Sequence, residues 1–163
     1  MKQFHIVNKF FTVGGSSKIL DMDKNPVYFV KGKVFSITKK KILRDLNKNK
    51  LFLIRNKFWH LFLKSAFIYN ADKDQIMKIK RKISLRSKFN VEADDGQYEI
   101  NGNVFGWDYE ILKDGVKVAN VSRQFDWTDH FVLTVEEDEF APLAIAMVIA
   151  IDNITDREKG QNS

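Results

Sequence analysis

The chain contains no cysteine, and only 2 proline and 3 histidine residues among 163. The absence of cysteine excludes disulfides and thiolate metal sites, and it is compatible with a reducing compartment. His5, His60 and His130 are far apart in the sequence, with no His-x-x-x-His or His-x-Glu spacing. The sequence therefore indicates neither a metal site nor a catalytic histidine, and we expect no cofactor and no enzymatic activity.

The sequence predicts neither a secretory signal nor a membrane-spanning segment. The first residues, Met1–Ile6, have no continuous apolar segment, so we expect a cytoplasmic location. The longest apolar run, Phe140–Ile151, is about 18 Å long as a helix, whereas a bilayer core requires roughly 20 apolar residues. A helix that is apolar on every side has to be buried in protein, so strands are expected to surround it.

The residues before this run favour helix initiation. Residues 136–139 are all acidic, which suits the positive end of a helix dipole, and Pro142 is tolerated in a first helical turn. A calcium loop is the alternative, but the alternating ligands and turn glycine of an EF-hand are missing.

Most of the remaining sequence is typical of short strands joined by tight turns. Apolar and β-branched segments alternate with turn segments rich in Asp, Asn and Gly, which favour β-hairpins. These turn segments are Asp23–Pro26, Asn47–Lys50, Asp72–Asp74, Asp94–Gly96 and Lys113–Gly115. The pattern predicts an all-β meander closed into a barrel around the helix, as one domain over residues 1–155. Residues 156–163 are predicted to form a flexible polar tail.

Charge is divided unevenly along the chain. Residues 31–90 hold 18 Lys and Arg against 3 Asp, whereas residues 91–163 hold 5 basic against 16 acidic residues. Between Met77 and Ala93 the odd positions are mostly apolar and the even positions mostly basic, so period two predicts a basic outer face. A bend is expected near Ser84 or Ser87, and Arg81 either finds a partner inside or marks that irregularity. The candidate anion-binding residues are Lys39, Lys40, Lys41, Lys78, Lys80, Lys82, Arg86 and Lys88.

The chain resembles a known family over nearly its whole length, because the C-terminal half and the hairpins from Pro26 to Gly115 both fit. Three segments are similar to the LURP-one-related family: Val118–Phe125, Trp127–Leu133 and Ala144–Asp152. That family belongs to the tubby C-terminal-like superfamily, and the phospholipid scramblases are its relatives. The resemblance implies a mainly β fold, a twelve-stranded closed barrel of antiparallel hairpins around a central hydrophobic C-terminal helix. Tubby proteins bind phosphoinositide headgroups through basic side chains. The chain lacks the terminal membrane segment and the cysteine-rich stretch of the scramblases, so the resemblance does not imply lipid transport.

These observations favour a noncatalytic binding module. The basic face is expected to bind anionic phospholipid headgroups, which would place the protein peripherally at the membrane surface. Sequence-independent nucleic-acid binding uses the same side chains and is the first alternative. A protein-interaction scaffold is another, and pairing of the basic half with the acidic half inside the molecule is the alternative without a ligand.

Overall fold

The structure is a computed structural model that describes residues 1–7, 16–32, 39–56, 65–82, 89–125 and 129–159. Twelve strands are followed by one helix, with 3-10 turns at Val104–Gly106 and Asp138–Phe140. The strands are β1 Lys2–Val7, β2 Ser16–Leu20, β3 Pro26–Gly32, β4 Lys41–Arg44, β5 Lys50–Asn56, β6 Ser65–Tyr69, β7 Gln75–Arg81, β8 Phe89–Ala93, β9 Tyr98–Asn103, β10 Asp108–Lys113, β11 Val116–Phe125 and β12 Asp129–Val135. The helix α1 comprises Ala141–Lys159.

The strands form one antiparallel sheet that is curled into a nearly closed barrel. In the described structure consecutive strands pair with each other, except β8 with β9, and β1 also pairs with β12. The sheet order therefore starts at β8, passes through β1 and β12, and ends at β9. The end strands β8 and β9 share no register pair among the residues that the structure describes. The predicted twelve-stranded barrel with a central helix is therefore confirmed, with a seam between β8 and β9 where backbone pairing does not complete the cylinder.

Three hairpin turns have the same hydrogen bonds. In each turn an Asp or Asn side chain accepts from the backbone N–H four residues later, at 2.8 Å, in the pairs Asp21/Asn25, Asp45/Asn49 and Asn70/Asp74. In each, a lysine adopts a positive φ angle: Lys24 at 65°, Lys48 at 66° and Lys73 at 76°. These are the polar turn segments that the sequence predicts, and a left-handed residue at this point matches the twist of the two strands.

The helix α1 fills the interior of the barrel. Its residues 144–151 are all buried, including Ala144, Ala146 and Ala150, which have no exposed surface. Inward-facing strand residues such as Ile54, Ile79 and Leu133 complete a single core. The helix runs to Lys159, so the first four residues of the predicted polar tail, 156–159, have helical backbone.

The two ends of the barrel differ in their connections. The three hairpin turns, the β8–β9 and β10–β11 turns and the start of α1 lie at one end, which we call the turn end. The opposite end, which we call the rim end, is where β3, β5 and β7 finish and where β4 begins. The helix reaches the rim end with Asn153, whose Nδ2 donates to the backbone oxygen of Lys39 at 3.0 Å.

The predicted alternation between Met77 and Ala93 belongs to two strands. Met77 and Ile79 on β7 are buried, as the odd-position pattern predicts, and Phe89 on β8 is buried as well. The two strands form a hairpin in which Met77 is opposite Ala93. The predicted bend near Ser84 or Ser87 lies outside the described residues.

Candidate anion-binding surface

Six basic residues lie at the rim end of four strands, β3, β4, β5 and β7. Arg55 is flanked by the buried Ile54 and Asn56, so strand alternation directs its side chain outward. The same argument applies to Lys31 beside Val30 and to Lys80 beside Ile79. Lys39 and Lys40 precede β4, and Lys82 follows β7. We call this set the basic rim: Lys31, Lys39, Lys40, Arg55, Lys80 and Lys82.

Three of these cations have no anionic partner in the part of the chain that the structure describes. No carboxylate of the described residues lies within ion-pair distance of Lys31, Lys80 or Lys82. Arg55 donates from Nη2 and Nε to the Tyr69 hydroxyl at 2.8 and 3.2 Å, and its guanidinium lies 4.7 Å from the centre of that ring. A neutral phenol orients the guanidinium without cancelling its charge, so the positive charge of Arg55 remains available to a ligand.

Two predicted site residues form ion pairs within the protein instead of remaining available to a ligand. Lys78 pairs across the β7–β8 hairpin with Glu92, at 2.7 Å. Lys41 points into the barrel, where its Nζ lies 3.5 Å from Asp152 and its side chain is 12% exposed. Pairing between the basic and acidic halves therefore occurs at these positions. Arg86 and Lys88 lie outside the described residues.

Apolar side chains lie between the cations on the outer surface. Ile42 pairs with Lys31 on one side and with Leu53 on the other, and Phe67 pairs with Arg55. These three apolar residues are only partly buried. Basic side chains beside partly exposed apolar ones are typical of interfacial surfaces, where apolar atoms contact the boundary and charges contact headgroups.

Acidic side chains are concentrated at one end of the barrel. The turn end carries most of the acidic side chains of the described residues, among them five in the hairpin turns and four directly before α1. Those residues are Asp21, Asp23, Asp45, Asp72, Asp74, Glu136, Glu137, Asp138 and Glu139. The uneven distribution of acidic residues along the chain thus corresponds, in part, to an uneven distribution between the two ends of the barrel.

Lys31 and Arg55 were absent from the predicted site, although the alternation around Val30 and Ile54 could have indicated them.

A buried polar cluster holds α1 at the rim end. Asn56 Nδ2 donates to the backbone oxygen of Asn153 at 2.9 Å, and Thr155 Oγ1 donates to that of Asp152 at 3.1 Å. The side-chain oxygens of Asn56 and Asn153 and the Tyr109 hydroxyl have no hydrogen-bond partner in the described part of the chain. Burial, and secondarily the charge of Asp152, raises the pKa of Tyr109. The cluster closes the interior beneath the basic rim.

Arg81 is the last residue of β7. Its guanidinium carbon lies 4.8 Å from the centre of the Phe105 ring, and burial lowers its pKa. The residue therefore has an aromatic partner on the β9–β10 connection, on the other side of the seam.

A cleft follows the seam between β8 and β9. It has a volume of about 590 Å³ and is lined by residues of β7, β8, β9 and the 94–97 turn. Beside it, Asp95 accepts hydrogen bonds from Lys113 at 2.7 Å and from Tyr98 at 2.9 Å. Burial alone would raise the pKa of Asp95, but these two donors together bring it below its usual value.

The described residues provide neither a metal site nor a membrane-spanning helix. No group of three or more His, Cys, Asp or Glu side chains within them is arranged to hold a metal ion. Within the same ranges, no helix combines the length and the hydropathy that a bilayer crossing needs.

Comparison with known proteins identifies the family. The sequence profile described as LURP-one-related matches residues 2–152. The chain belongs to the LURP-one-related family. An X-ray structure of a protein from Arabidopsis thaliana shares the fold of this LURP-one-related chain, with a TM-score of 0.68 and 18% sequence identity over 94% of this chain and 91% of that one. No curated protein sequence gives a significant match.

Proposed function

We propose that this LURP-one-related protein is a noncatalytic, cytoplasmic module that binds anionic phospholipid headgroups at a membrane surface through its basic rim. One observation carries the proposal: Lys31, Lys80 and Lys82 lie at one end of the barrel without a carboxylate partner among the described residues. Partly exposed apolar side chains lie beside this rim on the same outer surface. That combination supports peripheral contact with a membrane.

The expected strength follows from the number of cations. Each Lys or Arg near an anionic membrane contributes about 1 kcal/mol, so Lys31, Lys80 and Lys82, which have no carboxylate partner among the described residues, together contribute about 3 kcal/mol. The acidic turn end does not oppose this attraction strongly. A strand of seven residues, such as β5, is about 23 Å long, which exceeds the Debye length of about 10 Å at moderate salt.

Co-sedimentation with vesicles tests the proposal. We expect the protein to pellet with vesicles that contain phosphatidylserine, less so at physiological than at low salt, and not with phosphatidylcholine vesicles. A variant with Lys31→Glu, Lys80→Glu and Lys82→Glu should bind at least about 100-fold more weakly, because three contributions of about 1 kcal/mol are lost and then reversed.

The turn end offers a matched control. Lys24→Glu, Lys48→Glu and Lys73→Glu make the same change in net charge at three exposed positions away from the rim. This variant should keep most of the binding. Equal losses in both variants would mean that net charge alone drives the attraction, and unchanged binding of the rim variant would remove the rim from consideration.

A nucleic-acid ligand is distinguished in the same assay. Single-stranded DNA added as a competitor should not displace the protein from anionic vesicles if headgroups and apolar contacts act together. Complete displacement at low salt would favour sequence-independent nucleic-acid binding through the same cations.

A further inference from the structure

Asn153 of the central helix contacts two segments that carry cations of the basic rim. Its side-chain Nδ2 donates to the backbone oxygen of Lys39 at 3.0 Å, and its own backbone oxygen accepts from Asn56 Nδ2 at 2.9 Å. Lys39 is a member of the basic rim, and Asn56 directly follows Arg55, which is another. One completely buried residue of α1 therefore joins both segments from inside the barrel.

The backbone of Lys39 adopts a conformation that needs support. Its φ angle is 46°, in the left-handed region that residues with a Cβ adopt at an energetic cost. Among the described residues, the pairing of β4 with β3 and β5 begins only at Lys41, so these ladders do not fix Lys39. The hydrogen bond from Asn153 therefore helps to hold the Lys39 carbonyl group in place.

The orientation of the Asn153 amide follows from this hydrogen bond. Only the NH2 group of the amide can donate to a carbonyl oxygen, so its nitrogen has to face Lys39. The side chain has no exposed surface, and the hydrogen bond is therefore made away from water, where losing it costs more. The neighbouring Asp152 pairs with Lys41, so Lys40 lies between two residues that α1 anchors.

We propose that Asn153 is a positioning residue of the anion-binding surface. By fixing the backbone before β4, it places the ammonium groups of Lys39 and Lys40 on the same end of the barrel as Arg55. The lysines contact the headgroups, and Asn153 acts only through them. This role rests on the proposed function and adds to it that the core helix determines the spacing of the cations that bind the headgroups.

Co-sedimentation with phosphatidylserine vesicles measures this effect. Asn153→Leu keeps the branched shape of the side chain and removes its donor, so residues 39 and 40 lose an internal anchor. We expect binding to weaken about fivefold. Lys39→Gln combined with Lys40→Gln removes both charges and should weaken binding about 30-fold, at about fivefold for each cation.

A double-mutant cycle separates positioning from a general loss of structure. If Asn153 acts through the two lysines, adding Asn153→Leu to the double glutamine variant should change binding less than about twofold. A general structural loss would weaken binding by the same factor with or without the lysines, and equal factors would refute the proposal.

Thr155→Val is the matched control. It removes another buried hydrogen bond at the same end of α1, but the acceptor is the backbone oxygen of Asp152, within the helix, rather than the segment before β4. This variant should also unfold at lower urea concentration, yet keep vesicle binding within about twofold of the wild type. A loss as large as that of Asn153→Leu would contradict a specific role for Asn153.

Hydrogen exchange without vesicles tests the anchor itself. Asn153→Leu should speed exchange of the amides of residues 40–42, whereas Thr155→Val should not, and equal exchange in the two variants would refute the anchor. If the wild type does not pellet with anionic vesicles, the proposed function fails and the positioning role fails with it. If the wild type pellets and Asn153→Leu binds equally well, the positioning role alone is refuted.

Discussion

The ion pair between Lys41 and Asp152 offers the most direct test of how α1 is held in the barrel. Its nitrogen and oxygen are 3.5 Å apart, and the two side chains are 12% and 6% exposed. Removing one member of a buried pair costs about 3–5 kcal/mol, because the remaining charge stays in a poorly solvated site. For Lys41→Met we expect the lower limit, about 3 kcal/mol, because the separation is long for an ion pair.

Replacing the acidic member of the pair should reduce the free energy of unfolding by less. In Asp152→Asn the ammonium group of Lys41 remains, and its flexible stem can carry it toward solvent at the rim end, so we expect about 1–2 kcal/mol. The double variant contains neither charge. Its loss should therefore be at least about 1 kcal/mol smaller than the sum of the two single losses.

Urea unfolding, monitored by tryptophan fluorescence, measures the free energy of unfolding of all three variants. In a thermal scan, the melting temperature of Lys41→Met should fall by about 6–12 °C, at about 2–4 °C per kcal/mol for a chain of this size. Lys31→Met is the control, because Lys31 is exposed, and it should change stability by less than about 0.5 kcal/mol. If the single losses add within about 0.5 kcal/mol, the two groups do not interact and the argument fails.

Three further predictions concern the turns, the core and the alkaline limit. Lys48→Gly should stabilise the protein by about 0.5–1 kcal/mol, since glycine adopts the positive φ of 66° without strain; Lys50→Gly, in a strand, should destabilise it in the same urea assay. Ala146→Asp should abolish the far-ultraviolet dichroism of the native barrel, because an uncompensated charge would sit at a position with no exposed surface; a folded variant would refute the buried helix. Burial, followed by the hydrogen bond to Asp95, raises the pKa of Tyr98 to about 12, above its ordinary value of 10.0. The stability that the neutral phenol contributes is therefore complete below pH 10 and lost as pH rises toward 12, so Tyr98→Phe should show a shallower loss of unfolding free energy over that interval, and an identical loss would contradict the shift.

The architecture could be predicted because it depends on local patterns. Period-two alternation, polar turns and one run of apolar residues each determine a local structure, and an antiparallel meander is the simplest way to join them. The direction of Lys41 could not be predicted. Ile42 and Leu43 are both apolar, so the phase of β4 is ambiguous in the sequence, and only the pairing of Lys41 with Gly32 and Ile54 decides it.

The candidate sites depend on contacts between distant segments. The pairing of Lys78 with Glu92 requires the register of the β7–β8 hairpin, which the alternation alone does not determine. Likewise, nothing local indicates that backbone pairing is missing between β8 and β9 in the described structure, because each segment is an ordinary strand. The basic rim was partly predicted. Alternation indicates that Lys31, Arg55 and Lys80 face outward, but that they lie near one another depends on the side-by-side arrangement of β3 to β7.

The central position of α1 has a consequence for the order of folding. All twelve strands precede the helix in the chain, and β1 pairs with β12, more than 120 residues later. During synthesis, the inward faces of the strands consequently have no partner until the helix leaves the ribosome. Such long-range pairing slows folding and leaves apolar surface exposed in the meantime. We therefore expect the nascent chain to depend on chaperones until residues 141–159 have been synthesised. A chain that ends at residue 140 would lack the helix that fills the barrel interior, and the inward faces of its strands would have no core to pack against.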